Sequence, residues 1–183
     1  MAEKNFGLVQ VFYGNGKGKT TAALGETVRA LGRGFKVHLI QFMKCGIAGN
    51  KDFEEYGELM VLRKLKGFSL ERFGLKEWVV GKPSKAHIEE CQRGIEAAKK
   101  ALSSKKFDLV VLDECLYAVQ LGLLTESEVL ELIKSKRPET ELILTGSHRP
   151  LEKIIEESDL VSEVKKVKHP FDRGIGARIG IEY

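Results

Sequence analysis

Between a run of β-forming residues that ends at Tyr13 and an amphipathic stretch that begins at Lys19, the chain reads Gly14-Asn15-Gly16-Lys17-Gly18-Lys19-Thr20-Thr21. A strand that feeds a helix through such a loop gathers backbone N–H groups and the positive end of the helix at one point. That arrangement cradles phosphate, and glycines let the backbone come close enough to do so. Lys19 is placed to neutralise phosphate charge, and the Thr20 hydroxyl to ligate Mg²⁺. The candidate phosphate-binding residues are therefore Gly14, Asn15, Gly16, Lys17, Gly18, Lys19, Thr20 and Thr21.

The loop departs from the usual G-x-x-x-x-G-K-[ST] spacing. Five residues before Gly18 stands Tyr13 rather than glycine, so the loop is one residue short. A shorter loop wraps phosphates differently, and ordinary hydrolysis of a γ-phosphate does not follow from the motif.

The rest of the chain alternates short β-rich runs with helical patterns. Strands are expected at 7–13, 36–43, 58–65, 107–113, 141–145 and 160–167. Helices are expected from Lys19 to Leu31, stopped by Gly32 and Gly34, and from Lys85 to Leu102. A further helix should run from a capping box at Thr125 to Glu128 through Ser135, and another should begin near Pro150. Such alternation predicts an α/β fold of the P-loop NTPase (RecA-like) kind, a mostly parallel sheet with helices on both faces. No repeat, linker or low-complexity tract interrupts it, so residues 1–183 read as one domain. Ligands of such sheets bind beyond the carboxyl ends of the strands. That gathers 14–20, 43–57, 66–84, 114–124, 146–149 and 168–183 on one edge.

On that edge, Val110-Val-Leu-Asp113-Glu114 closes a strand with two carboxylates, the place and composition of a magnesium-holding acid. Side chains alternate along a strand, so only one of the pair can face the loop while the backbone stays extended. Asp113, Glu114 and Thr20 are the candidate Mg²⁺ ligands.

Composition narrows the partners. The net charge of +4 is spread among acids with no block of like charge, which speaks against nucleic acid. No apolar run is long enough for a membrane span, and the first residues carry no secretory h-region. The three cysteines, Cys45, Cys91 and Cys115, form no C-x-x-C pair and suit a reducing, cytoplasmic setting. Cys115 reads as packing, and His38 and His87 as core or surface histidines.

The sequence resembles the P-loop class of corrinoid adenosyltransferases over nearly its whole length. The resemblance is carried by Q-V-F-Y-G-N-G-K-G-K-T-T-A-A-L-G (10–25), R-A-L-G-R-G-F-K-V (29–37), Q-F-M-K (41–44), V-V-L-D-E (110–114) and L-T-G (144–146). The tail, V-K-H-P-F-D-R-G-I-G-A-R-I-G-I-E-Y (167–183), carries it further. It implies ATP, Mg²⁺ and a reduced corrinoid as reactants, a separate electron donor, and a homodimer. The reaction implied is attack of Co(I) on the 5′-carbon of ATP with release of triphosphate, Lys19 facing the leaving group.

The same resemblance implies an aromatic wedge that displaces cobalt's lower ligand. Phe68 matches the family phenylalanine, and Leu70 stands where many members have tryptophan. Apart from the resemblance, 66–84 reads as a long loop with Phe68, Leu70, Phe73 and Trp78, too apolar to stay solvated. Either Phe68, Leu70 and Trp78 face the corrinoid, or the loop packs on its own domain or on a partner subunit. After Thr145-Gly146 the family commonly has arginine, where this chain has Ser147, with Arg149 two residues on. Some members carry a longer N-terminal arm over the site, so here the cover is expected from elsewhere or not at all. In the tail, Lys168, His169, Arg173 and Arg178 could clamp triphosphate, line the corrinoid pocket or simply be solvated. The competing reading is a RecA-like ATPase coupling hydrolysis to a protein or nucleic-acid partner; a nucleotide kinase is another. Both predict ADP as product, and both leave the short loop and the tail unexplained.

Overall fold

The computed structural model describes residues 6–46, 55–77, 79 and 81–183. Its strands are β1 (Val9–Tyr13), β2 (Val37–Phe42), β3 (Phe68–Phe73), β4 (Leu109–Asp113), β5 (Glu141–Thr145) and β6 (Leu160–Glu163). Its helices are α1 (Lys19–Gly32), α2 (Gly57–Leu62), α3 (Lys85–Ser103), α4 (Cys115–Gln120), α5 (Glu126–Ser135) and α6 (Glu152–Glu156), and a 3₁₀ turn spans Pro170–Arg173. The strands form one sheet in the order β3-β2-β4-β5-β1-β6, every pair parallel. The expected α/β architecture is the observed one.

Helices cover both faces, and two apolar clusters result. One packs Ile40, Phe42, Val110, Leu112 and Leu144 under α3, α4 and α5; the other packs Leu39, Val111 and Ile143 under α1 and α2. Strands β2, β4 and β5 are buried at every residue, as double coverage requires, and Leu109–Leu112 of β4 is accordingly apolar throughout, while β2 carries the buried polar residues His38 and Gln41. His38 lies in this interior. Its ring stacks on Phe107, Nδ1 hydrogen-bonds with Ser69 Oγ at 2.8 Å, and Nε2 lies 3.2 Å from Glu71 Oε1. The capping box opens α5 as expected: Glu128 accepts from the Thr125 amide, and the Thr125 hydroxyl accepts from the Glu128 amide.

The third strand is not where the sequence pattern put it. Residues 58–62 belong to α2, in which Leu59 and Leu62, three apart, are buried while Met60 and Val61 face outward. A four-residue apolar run fits strand and helix equally, and here the helical period is realised. The strand is Phe68–Phe73, paired in register from Val37↔Phe68 to Phe42↔Phe73. The expected loop 66–84 therefore shrinks to 74–84. Strand β6 is also shorter than expected, ending at Glu163, and α4 is an added helix within 114–124.

Candidate active site

The carboxyl ends of β1, β2, β4 and β5 converge on the glycine loop. Gly14 and Gly18 adopt left-handed backbone, with φ of 116° and 119°. A Cβ on Gly14 would fall 2.4 Å from the Val164 carbonyl oxygen, and one on Gly16 2.8 Å from Lys165. The chain beyond β6 thus presses on the loop so closely that only glycine fits. It is also bonded there. Gly14 N donates to Ser147 O, Gly16 N to Val164 O, and Lys166 N to Asn15 Oδ1. Gly14 and Asn15 accordingly brace the loop. Gly16, Lys17, Gly18, Lys19, Thr20 and Thr21 line a cavity of about 420 Å³ at the start of α1.

Within the loop, Lys19 Nζ donates to the carbonyls of Gly14 (2.7 Å) and Gly16 (2.9 Å). Burial holds its ammonium below the usual lysine range, with Glu114 working against that shift. Loss of solvent is what makes such a cation bind an anion strongly.

Asp113 is fully buried and has four partners. Thr20 Oγ1 (2.8 Å) and Thr145 Oγ1 (2.7 Å) donate to Oδ1; Gln41 Nε2 (3.0 Å) and Lys44 Nζ (2.8 Å) donate to Oδ2. Burial alone would raise its pKa, but the Lys44 charge and these hydrogen bonds outweigh it and hold the carboxyl low. Lys44 is the counterpart: burial pulls it down, and Asp113 and Glu114 more than restore it, leaving it raised. For Glu114, burial dominates and pushes the carboxyl up, Asp113 adding to the effect against Lys44.

The strand alternation that would have turned one acid away is broken at Glu114, whose φ is 61°. Both carboxylates therefore reach the site, Glu114 Oε1 lying 3.5 Å from Lys44 Nζ. Met43 (φ 59°) and Ser147 (φ 52°) are the other non-glycine left-handed residues described. All three sit just past strand ends on the same edge, the location where backbone strain is held for a site. Gly146 lets α4 approach this edge, since a Cβ there would come within 2.5 Å of Tyr117 N.

A second, apolar cavity of about 220 Å³ adjoins the first. Phe42, Met43, Leu75, Val79, Cys91, Tyr117, Leu121 and Tyr183 line it, and it shares Lys44, Tyr56 and Glu114 with the phosphate-sized cavity. Tyr56 stacks on Tyr183 with ring centroids 4.4 Å apart, and Lys44 Nζ lies 5.8 Å from the Tyr56 ring centre.

Phe68 and Leu70 are not part of this edge. Phe68 pairs with Val37, the first residue of β2, at the opposite, amino end of the sheet, and Leu70 pairs with Leu39 in its middle. Both pack on the cluster under α1 and α2. The wedge role for these two residues is what the resemblance implies; in this structure both lie within β3 and line neither of the two cavities. Trp78 lies outside the described residues. The loop that does line the apolar cavity contributes Gly74, Leu75, Lys76, Glu77 and Val79.

Ser147 is buried and donates to Arg149 O and Gln120 Oε1, while Arg149 is exposed and is not among the residues lining either cavity. Of the tail's basic residues, His169 reaches the phosphate-sized cavity, whereas Arg178 is bonded to Glu182. Cys115 is buried with its thiol pushed up by burial, consistent with packing. Sequence reasoning missed Lys44, Gln41, Tyr56 and Thr145 as site residues. The strand-end rule applied to β2 could have found Lys44, since Q-F-M-K ends that strand.

Among the described residues no three His, Cys, Asp or Glu side chains gather into a metal-binding cluster. Mg²⁺ does not need one, being held by one or two carboxylates, substrate phosphates and water. The donor set of Thr20, Asp113 and Glu114, all hard oxygens, fits that ion. Beside it, Gln41 Oε1 is buried without a hydrogen-bond partner among the described residues, an acceptor that a bound water would satisfy.

Residues 5–183 match the profile of the family described as ATP:corrinoid adenosyltransferase BtuR/CobO/CobP. The chain is 36% identical over 188 residues to the corrinoid adenosyltransferase of Escherichia coli (strain K12), covering 100% of this chain and 88% of the relative. Identity to the corrinoid adenosyltransferase CobA of Salmonella typhimurium (strain LT2) is also 36%, with the same coverage. The corrinoid adenosyltransferase of Pseudomonas aeruginosa is 32% identical, over 97% of this chain and 84% of the relative. A crystal structure of the RadB recombinase superposes with a TM-score of 0.50 at 19% identity, covering 89% of this chain and 76% of that one, which shows a shared fold.

Proposed function

The chain belongs to the ATP:corrinoid adenosyltransferase family, and from that premise we propose how its two adjoining cavities divide the substrates. As a corrinoid adenosyltransferase it moves the 5′-deoxyadenosyl group of ATP onto cobalt of a reduced corrinoid. The phosphate-sized cavity takes the triphosphate, held by Lys19 and the loop amides from Lys17 to Thr21. The apolar cavity receives the edge of the corrin. The observation that carries this division is the shared boundary of Lys44, Tyr56 and Glu114, across which the transferred carbon must pass.

In the step itself, the Co(I) electron pair forms a bond to C5′, the C5′–oxygen bond breaks, and triphosphate leaves with that bond's electrons. Cobalt is formally oxidised to Co(III), and no proton moves, so no general base is required. What the chain must supply is alignment, with C5′ held about 3–3.5 Å from its nucleophile, and stabilisation of charge on the departing oxygen. Lys19, half-desolvated beside the loop carbonyls, is suited to the second task. Thr20, Asp113 and Glu114 would hold Mg²⁺, which when bound offsets triphosphate charge. An external one-electron donor, a homodimeric assembly and a cytoplasmic setting belong to the same proposal. No helix among the described residues is long and apolar enough to cross a membrane.

The test is anaerobic incubation with ATP, Mg²⁺ and chemically reduced cobalamin. The expected result is one triphosphate per cobalt–carbon bond formed. Rapid release of ADP without corrinoid would instead support the ATPase reading.

A further inference from the structure

Lys44 Nζ lies 2.8 Å from Thr20 Oγ1, 2.8 Å from Asp113 Oδ2 and 3.5 Å from Glu114 Oε1. These are the three side chains to which the preceding reading gives Mg²⁺, and the inference rests on that reading. An ammonium and a hard divalent ion seek the same oxygen lone pairs, and two cations cannot occupy one such pocket in a poorly solvated site.

The placement of Lys44 is built into the ends of two strands. Just past β2, Met43 takes a left-handed conformation, and its amide donates to Phe73 O at 2.7 Å. Gly74 packs against that kink, a Cβ there coming within 2.8 Å of Met43 Cα. The turn aims Lys44 back over the sheet edge. Its side chain is 18% exposed, and Tyr56 covers it from above. Because Lys44 lines both cavities, its ammonium can move from the carboxylates toward a triphosphate without leaving the site walls.

We propose that Lys44 is a positioning residue that occupies the metal's place until nucleotide arrives, so that metal and nucleotide enter together. In the nucleotide-free protein it neutralises Asp113 and excludes the ion. Triphosphate then draws the ammonium away, opens the oxygen donors to Mg²⁺, and gains a cation at the boundary with the apolar cavity. This ordering keeps a divalent ion from settling on the acids without its substrate.

The probe is Mn²⁺, followed by the electron paramagnetic resonance signal of the free ion. Nucleotide-free wild type should bind it weakly, and a non-transferable ATP analogue should tighten binding by at least about tenfold. Lys44→Met should bind Mn²⁺ without nucleotide on the order of tenfold more tightly than wild type, and lose most of the nucleotide effect. Wild type that holds Mn²⁺ equally well with and without nucleotide overturns the proposal, and this arm needs no variant to fold. A folded Lys44→Met protein with unchanged Mn²⁺ affinity overturns it too. Adding Asp113→Asn separates the two levels of the argument. If the tight Mn²⁺ binding of the single variant survives the second substitution, the metal placement itself is what fails.

Discussion

Replacing Thr145 by valine removes one hydroxyl from the centre of the site while keeping the side chain's shape. That hydroxyl does two things. It donates to Asp113 Oδ1 at 2.7 Å, and it accepts from the Glu114 amide at 3.0 Å, in a residue with no solvent exposure. Losing a hydrogen bond to a charged partner costs about 1.5–3 kcal/mol, and stranding a buried N–H costs about 1–3 kcal/mol. Asp113 keeps Thr20, Gln41 and Lys44, so no unpaired charge is created, and the added methyl returns about 0.8 kcal/mol. The net expectation for Thr145→Val is a loss of about 3 kcal/mol. In a chain of this size that corresponds to a fall in Tm of roughly 6–12 °C.

The control is Thr145→Ser, which keeps the hydroxyl and deletes only a methyl, at a cost of about 1 kcal/mol. Urea denaturation at neutral pH, with both variants beside wild type, reads the difference. A second signature lies in acid. The Asp113 carboxyl is held below its ordinary value, partly by Thr145, so its contribution to stability is present above that value and fades as pH falls through the depressed one. Thr145→Val narrows that gap, so the variant should lose less stability than wild type on acidification. Equal losses for valine and serine at neutral pH, or a valine penalty under about 1 kcal/mol, would refute the assignment of the hydroxyl as the brace between the two acids.

Other expectations follow from the same geometry. Lys19→Ala should lower kcat by about 10²–10³-fold, since it removes the cation facing the leaving group, as measured by single-turnover adenosylation with pre-formed Co(I). Phe68→Ala should destabilise the fold by about 1–3 kcal/mol in a denaturation experiment while leaving the rate with pre-formed Co(I) near wild type, because Phe68 packs at the far end of the sheet. His38 is held neutral by burial against the pull of Glu71, so the unfolded chain binds the extra proton first. Stability should therefore begin to fall as pH drops through about 6.5, and His38→Gln, compared by thermal melts across that window, should flatten part of the fall.

What could be read from the sequence and what could not separate along a physical line. The glycine loop and Asp113-Glu114 were legible because their chemistry is local: strand, turn and helix follow one another within a few residues. The third strand was not, because Leu59-Met60-Val61-Leu62 is apolar in a way that satisfies either period, and only packing of Leu59 and Leu62 beneath the sheet chooses the helix. That single error displaced the loop behind it and carried Phe68 and Leu70 to the wrong end of the sheet. Gly74, Leu75, Lys76, Glu77 and Val79, which line the apolar cavity, follow the true strand by the same rule that had been applied to the false one. Lys44 falls in the edge segment 43–57 that the strand-end rule picks out, but its role was not legible there. Its role depends on a left-handed turn at Met43, a residue with no intrinsic liking for that conformation, and on a carboxylate 69 positions away. Strain of this kind persists only where the surroundings enforce it, and here Phe73 and Gly74 of the neighbouring strand end do so. A site cation set by two strand ends and a glycine contact is a tertiary fact, and it explains why the acids it pairs with can be buried at all.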